Sequence, residues 1–280
     1  MEKLIEILKQ FDTNRNEFKG VWDENAVAAC FQPCAKEILS NGYFLINGTY
    51  IIELGSIELY YHEEYGDIKD YIMYHTNDRL PKKYKEVIDN PQKFPNIFNA
   101  IIEHKGYPYF KIGTFNQHQS GVDVTFEKEK EKEKDSYRAS FLIRSYRVLK
   151  AKDGKYPIGD KTKYDHCSTH IFDDLFYEGI NWKNSNTERN SNIEWINDEK
   201  KDASFDLKGR PRTNVAEYIA CNEKETHIEK GGRSITSEDY LAEVNKKKED
   251  KSYTPKYIKI GKSYYKQDMR LWQFRLHNIE

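Results

Sequence analysis

The stretch that most constrains this chain is residues 50–61, Tyr-Ile-Ile-Glu-Leu-Gly-Ser-Ile-Glu-Leu-Tyr-Tyr. It is rich in Ile, Leu and Tyr and reads as a β-strand. Strand side chains alternate between faces, so Ile52, Leu54, Ser56, Glu58 and Tyr60 are expected to share one face. Glu58 then sits among apolar neighbours, with an aromatic ring two residues on. A carboxylate in such a place is costly unless it has partners or a task. Taken alone, the stretch also fits an ordinary half-exposed strand whose glutamate reaches water. The rest of the chain has to decide between these readings.

At 280 residues and 33.2 kDa the chain fits one large domain or two small ones. Aromatic residues make up 14%, including 21 Tyr, which argues against disorder and supplies flat surfaces for stacking. The formal net charge is -1, so there is no global basic field, and nucleic-acid binding would need a local patch. No run of 18 apolar residues marks a membrane span. The N-terminal Met-Glu-Lys-Leu-Ile-Glu-Ile-Leu-Lys is too charged for a secretory leader. Cys30, Cys34, Cys167 and Cys221 show no disulfide framework, which points to a reducing cytoplasm.

The spacing of Leu4, Ile5, Ile7, Leu8 and Phe11 predicts a helix over 2–11. A second helix over 24–40 carries Val27, Cys30, Phe31, Cys34, Ala35, Ile38 and Leu39 as one stripe, with Asp23 or Asn25 as its cap. Both cysteines on that stripe read as buried thiols. Residues 43–46 form a strand, Asn47-Gly48 a hairpin turn, and the Glu58 strand follows. Residues 61–75 read as a polar, aromatic loop, and further strands are expected at 107–112, 122–126 and 139–149. The alternating charges of residues 127–135 read as a solvated hairpin tip. Residues 150–206 read as irregular, with Phe176, Trp182 and Trp195 as packing points. His166-Cys167-Ser168-Thr169-His170 lacks the second ligand pair that a zinc site needs. A helix is expected near 235–244, a charged tip at 245–251, and strands at 257–262 and 270–276. The simplest architecture is a single α+β domain on a curved, mainly antiparallel sheet flanked by helices. Its parts are N-terminal helices (1–40), core strands with the site (41–149), an irregular and helical insert (150–250) and C-terminal strands (251–280).

No nucleotide-binding glycine loop, HExxH or GxSxG elbow occurs. A series of short motifs, in order, resembles the alkyladenine (3-methyladenine) DNA glycosylase superfamily, in a divergent bacterial branch. These are Ala35-Lys36-Glu37-Ile38-Leu39 with Ile52-Glu53-Leu54-Gly55-Ser56-Ile57-Glu58-Leu59-Tyr60, then Val122-Asp123-Val124, then Leu142-Ile143-Arg144-Ser145-Tyr146, then Pro211-Arg212-Thr213-Asn214 and Phe274-Arg275-Leu276. The resemblance implies the family's fold. It also implies that Glu58 is the catalytic glutamate that activates water against C1′ of a flipped nucleotide. Tyr60 matches the aromatic that stacks on that base, and His75 stands for a downstream histidine on the far side of the pocket. Asp123 falls where the family has an asparagine facing the base edge. Arg144 and Arg212 match positions close to the DNA backbone. The family's glycine-rich segment is not recognisable in residues 150–185, and Tyr109, Phe110, Phe115 and Asn116 are the nearby options for its aromatic wedge.

The chemistry is coherent in its own right. Breaking an N-glycosidic bond passes through an oxocarbenium-like sugar, and a carboxylate can stabilise that charge and deprotonate the water. An aromatic ring one strand period away can hold an extruded base. Asp123 in place of asparagine offers only acceptors and so favours an exocyclic amine. The expectation is therefore a monofunctional, cofactor-free and metal-free cytoplasmic DNA glycosylase, probing double-stranded DNA as a monomer. It would remove a modified or damaged base, with phage defence or repair as its setting. The rivals are a non-catalytic module that binds modified nucleic acid or nucleotide, and a hydrolase of free nucleosides or nucleotides.

Overall fold

The computed structural model of the chain describes residues 1–46, 48, 50–73, 76, 85–96, 98, 99, 109–129, 135–150, 163–171, 193–198, 204–220, 234–277 and 279. It opens with helices α1 (Glu2–Glu17) and α2 (Glu24–Asn41). Asp23 caps α2, its carboxylate accepting the Ala26 N–H at 2.8 Å. Leu4, Ile7, Leu8 and Phe11 of α1 and Val27, Phe31, Cys34 and Ile38 of α2 are buried on the sheet, as their periodicity predicts. Burial pushes the Cys34 thiol up to about 12, the behaviour of a core residue rather than a nucleophile.

The strands are β1 (Gly42–Ile46), β2 (Tyr50–His62), β3 (Phe115–His118), β4 (Gly121–Thr125), β5 (Arg138–Lys150), β6 (Ile193–Asn197) and the pair β7 (Tyr257–Ile260) and β8 (Ser263–Lys266), with β9 (Gln273–Arg275) last. Helix α3 (Ser237–Glu249) precedes β7 and carries a full capping box between Thr236 and Asp239. The main sheet runs β3-β4-β5-β2-β1-β6, and β9 joins β2. Every pairing in it is antiparallel, and the sheet curls into a half-barrel flanked by helices. Gly48 turns the β1–β2 hairpin at φ +62, as Asn47-Gly48 predicts. The expected strand at 107–112 is not found in its described part, which lies just before the β3–β4 hairpin. The segment read as irregular supplies β6, whose Trp195 packs edge-on to Phe44 at 4.9 Å. Glu127, expected at a solvated tip, turns inward to the buried Arg138.

The strict alternation expected along residues 52–60 is broken. Leu54 pairs with Tyr146, Ser56 with Ser145 and Ile57 with Ile143, so Gly55 on β2 and Arg144 on β5 are each left without an opposite residue. Two bulges therefore flank the Ser56–Ser145 pair, whose hydroxyls lie 2.7 Å apart. Ile52 and Leu54 lie in the helix-covered core, and so do Ile57, Leu59 and Tyr61. The phase thus shifts at Gly55, and only Ser56, Glu58 and Tyr60 of the predicted set face the other side. At this point β2 also changes neighbour, from β1 at Tyr50–Ile52 to β9 at Ser56–Glu58.

Glycine suits the bulge because an added Cβ would stand 2.5 Å from Tyr164 Cδ1. Gly55→Val is expected to cost about 1–3 kcal/mol through overpacking. A urea midpoint lowered in Gly55→Val and partly restored by adding Tyr164→Ala would bear this out, and an unchanged midpoint would show that the bulge has room.

Candidate functional site

On the sheet face opposite α1 and α2, the register aligns Glu58 on β2, Leu142 on β5, Asp123 on β4 and Asn116 on β3. Residues paired across antiparallel strands share a face, so this row sets two carboxylates on either side of one leucine. Neither is solvated: Glu58 is 1% exposed and Asp123 4%. The half-exposed reading of Glu58 therefore fails.

Glu58 is ringed by donors. Its Oε1 accepts the Thr213 backbone N–H at 2.7 Å and Gln273 Nε2 at 3.0 Å. Arg144 Nε lies 3.8 Å from the same oxygen. Its Oε2 accepts the Tyr60 hydroxyl at 3.2 Å, a long bond for an O–H donor. Burial and, next, the Glu58 carboxylate push the Tyr60 phenol well above its usual pKa, so Tyr60 remains a donor. Arg144 reaches this spot because it is the bulged residue of β5. Its Nη1 donates to Ser168 Oγ at 3.1 Å, and that hydroxyl donates to Ser120 O at 2.6 Å. Residues 163–171 thereby brace the site arginine. Gly121, at φ +137, lets Ser168 O come within 2.6 Å of where a Cβ would be.

The structure brings Glu58, Tyr60, Asp123 and Arg144 to one face. His75 lies outside the described residues. Arg212 is corrected: it is 0% exposed and offers no surface to a phosphate. Its guanidinium donates to Asp70 at 2.6 and 3.2 Å and to Asp268 at 2.7 Å. It lies between two rings, 4.6 Å from the Tyr60 centroid and 5.1 Å from that of Trp272. Burial works against its charge, yet Asp70 and Asp268 outweigh burial and raise its pKa further. Arg212 supports the site from behind, because it fixes the chain on which Thr213 meets Glu58. Among the wedge options, Phe115 packs on Phe44 at 5.7 Å and Tyr109 lies over Arg138 at 4.1 Å. Asn116 alone of the four stands in the site row.

Sequence reading missed three contributors. Gln273 and Thr213 reach Glu58 from far along the chain, and no local pattern signals them. His118, at the end of β3, places Nε2 3.1 Å from Asp123 Oδ2. In the 166–170 stretch, His170 Nδ1 pairs with Asp165 Oδ2 at 2.8 Å. Among the described residues no cluster of three or more His, Cys, Asp or Glu could hold a metal, and no helix is long and apolar enough to cross a membrane. Comparison with protein-family models, with curated proteins and with solved structures returns no match.

Arg212→Met should cost about 3–5 kcal/mol, since it leaves two buried carboxylates, Asp70 and Asp268, sharing the single charge of Arg270. Burial disfavours ionised Asp268, but Arg212 and Arg270 outweigh it and hold its pKa below 3.8. A depressed folded-state value means that the stabilisation is complete above the unfolded value and is lost as pH falls through the folded one. Urea midpoints should therefore drop below pH 3.8, and Asp268→Asn should flatten that acid limb. Equal acid limbs in the two proteins would contradict the assignment.

Proposed function

We propose that this protein hydrolyses the N-glycosidic bond of a flipped, modified or damaged base in double-stranded DNA, leaving an abasic site, on a fold of the alkyladenine DNA glycosylase type. The observation that carries this reading is Glu58: a buried carboxylate, 1% exposed, surrounded by Tyr60, Arg144, Thr213 and Gln273. Most strand glutamates are solvated, and a buried one with this many donors has a position to keep.

The roles follow from the two oxygens. Oε1 is committed to Thr213 and Gln273, which fix the carboxylate plane. Oε2 carries only the long Tyr60 bond. A water that displaces that hydroxyl gains Oε2 as its base, while the Arg144 side chain stands by Oε1. As the C1′–N bond lengthens, its electron pair leaves with the base and positive charge grows on the sugar. The Glu58 carboxylate faces that charge and takes the proton of the attacking water. Tyr60, with one ring face on Arg212, is a rigid aromatic surface for the extruded base. None of the described partners of Glu58 is an amine able to form a Schiff base, which fits a monofunctional enzyme. Removal of a modified base from phage DNA, rather than repair of alkylation, is the setting that Asp123 favours.

The burial of Arg212 and the net charge of -1 favour a second reading, a hydrolase of free nucleosides or nucleotides. Salt separates the two. Duplex processing should weaken steeply between 50 and 200 mM salt, by about tenfold or more if a few phosphates are contacted, whereas nucleoside turnover should not.

Mass spectrometry of bases released from alkylated, deaminated and hypermodified duplexes is the direct test. Glu58→Gln should lower abasic-site formation by about 10³-fold or more while leaving duplex binding within about threefold. Full activity in Glu58→Gln would sink the assignment, and a borohydride-trapped protein–DNA adduct would rule out the monofunctional mechanism.

A further inference from the structure

Asp123 has an asymmetric environment that the hydrolytic reading does not use. Its Oδ2 accepts the Ser140 hydroxyl at 3.3 Å, and His118 Nε2 stands 3.1 Å from the same oxygen without hydrogen-bond alignment. Its Oδ1 is buried and meets no hydrogen-bond partner among the described residues. A buried acceptor left unmade costs about 1–3 kcal/mol, so such a group signals a missing donor.

His118 sets which oxygen is left over. Its Nδ1 accepts the Ser120 backbone N–H at 3.2 Å. A nitrogen that accepts cannot also carry the proton, so the neutral ring bears it on Nε2, the ring nitrogen nearer Asp123. The β3–β4 hairpin fixes this arrangement, with His118 opposite Gly121 and Asn116 opposite Asp123. With the Ser140 hydroxyl bonded to it and the His118 ring beside it, Oδ2 is held by protein and Oδ1 is not. Asp123 also lies two strands from Glu58 on the same face. Two strand spacings are roughly 10 Å, enough to put one carboxylate at a sugar and the other at the far edge of its base.

We infer that Asp123 Oδ1 is the acceptor for an N–H of the ligand, that the base taken by this site carries an exocyclic amine, and that His118 is the positioning residue that turns the carboxylate to present it. The inference rests on the proposed glycosidic site for its geometry, but not on turnover. A carboxylate has no donor to offer, so a base with only a lone pair or a C–H at that edge leaves Oδ1 unmade. A site built around one N–H rejects the analogue without it.

Matched nucleosides test this on the full chain. 2′-Deoxyadenosine is compared with purine 2′-deoxyriboside, and 2′-deoxycytidine with pyrimidin-2-one 2′-deoxyriboside, each pair differing only in the amine. Binding is read by ligand-observed NMR, and release from duplexes carrying the same bases by mass spectrometry. The amine-bearing member of at least one pair should be favoured about tenfold or more. In Asp123→Asn, His118 Nε2–H selects the amide oxygen, so the amide N–H groups face the ligand and the preference should vanish or reverse. In His118→Gln the preference should shrink. A ratio of two ligands is the readout because a merely structural role would weaken both equally. Equal binding within both pairs, an amine preference that survives Asp123→Asn, or no binding and no release with any of these bases would overturn the inference. If the amine preference holds while Glu58→Gln retains full activity, the glycosidic reading falls and this one stands.

Discussion

The site depends on a buried quartet of charges that lies behind it. Arg212 and Arg270 stand against Asp70 and Asp268, with Arg270 Nε 3.0 Å from Asp268 and its Nη2 3.4 Å from Asp70. Two cations and two anions balance, so the cluster can be buried without leaving a net charge in low dielectric. Its members come from the loop after β2, from the 204–216 segment and from the turn before β9, segments with no sequence neighbourhood in common. Trp272 adds a ring under both arginines and ties them to α2 by donating Nε1–H to Glu24 O at 3.0 Å. One residue beyond Arg212, Thr213 donates to Glu58, and one beyond Trp272, Gln273 does the same. The quartet is thus the clamp that delivers both donors to the carboxylate.

A clamp of this kind explains how a buried glutamate is tolerated on a sheet. Glu58 buries a carboxyl group inside the sheet, and a solvated alternative would be cheaper for a free strand. Its neighbours are fixed by interactions on the far side of the chain, so their orientation is set before Glu58 needs them. Preorganised donors do not have to reorganise when charge moves. The double bulge is the second half of the arrangement. Gly55 lets β2 change phase and neighbour, and the extra residue on β5 is Arg144, aimed at Glu58 instead of along the ladder.

Much of the fold was legible because it is local. The stripes of α1 and α2, the Asn47-Gly48 turn and the apolar run Phe141-Leu142-Ile143 in β5 act over a few residues, and the structure follows them. The candidate row was half legible: Glu58 stood out as a carboxylate inside an apolar strand, and Asp123 was marked by the resemblance of Val122-Asp123-Val124 to a family motif. Their partners did not, since Gln273 lies 215 residues from Glu58 and Thr213 lies 155. The phase of β2 was misread because alternation was carried straight through Gly55, although glycine inside a strand is itself a signal of a bulge. Arg212 was misassigned because it was placed by the resemblance of Pro211-Arg212-Thr213-Asn214 to a family motif, which carries no information on burial. Only tertiary structure could show its two carboxylates and two rings. β6 was missed because Ile193, Trp195 and their neighbours are short and set in polar sequence, and its pairing with β1 supplies what its own propensity lacks.

The two buried carboxylates differ in a way that composition could not encode. Glu58 meets donors on both oxygens, and the weakest of these, the Tyr60 hydroxyl, is the one a water could replace. Asp123 accepts the Ser140 hydroxyl on one oxygen, beside the His118 ring, and its other oxygen has no partner among the described residues. Identical chemistry is thus divided by neighbours into a group whose second oxygen can exchange a solvent molecule and a group whose second oxygen has no exchange to make. The first arrangement suits a reacting centre, where a proton has to be taken up. The second suits recognition, where a fixed acceptor must stay unoccupied until one particular donor arrives. Leu142 stands between them in the row, so the two carboxylates lie two strands apart on a single sheet face.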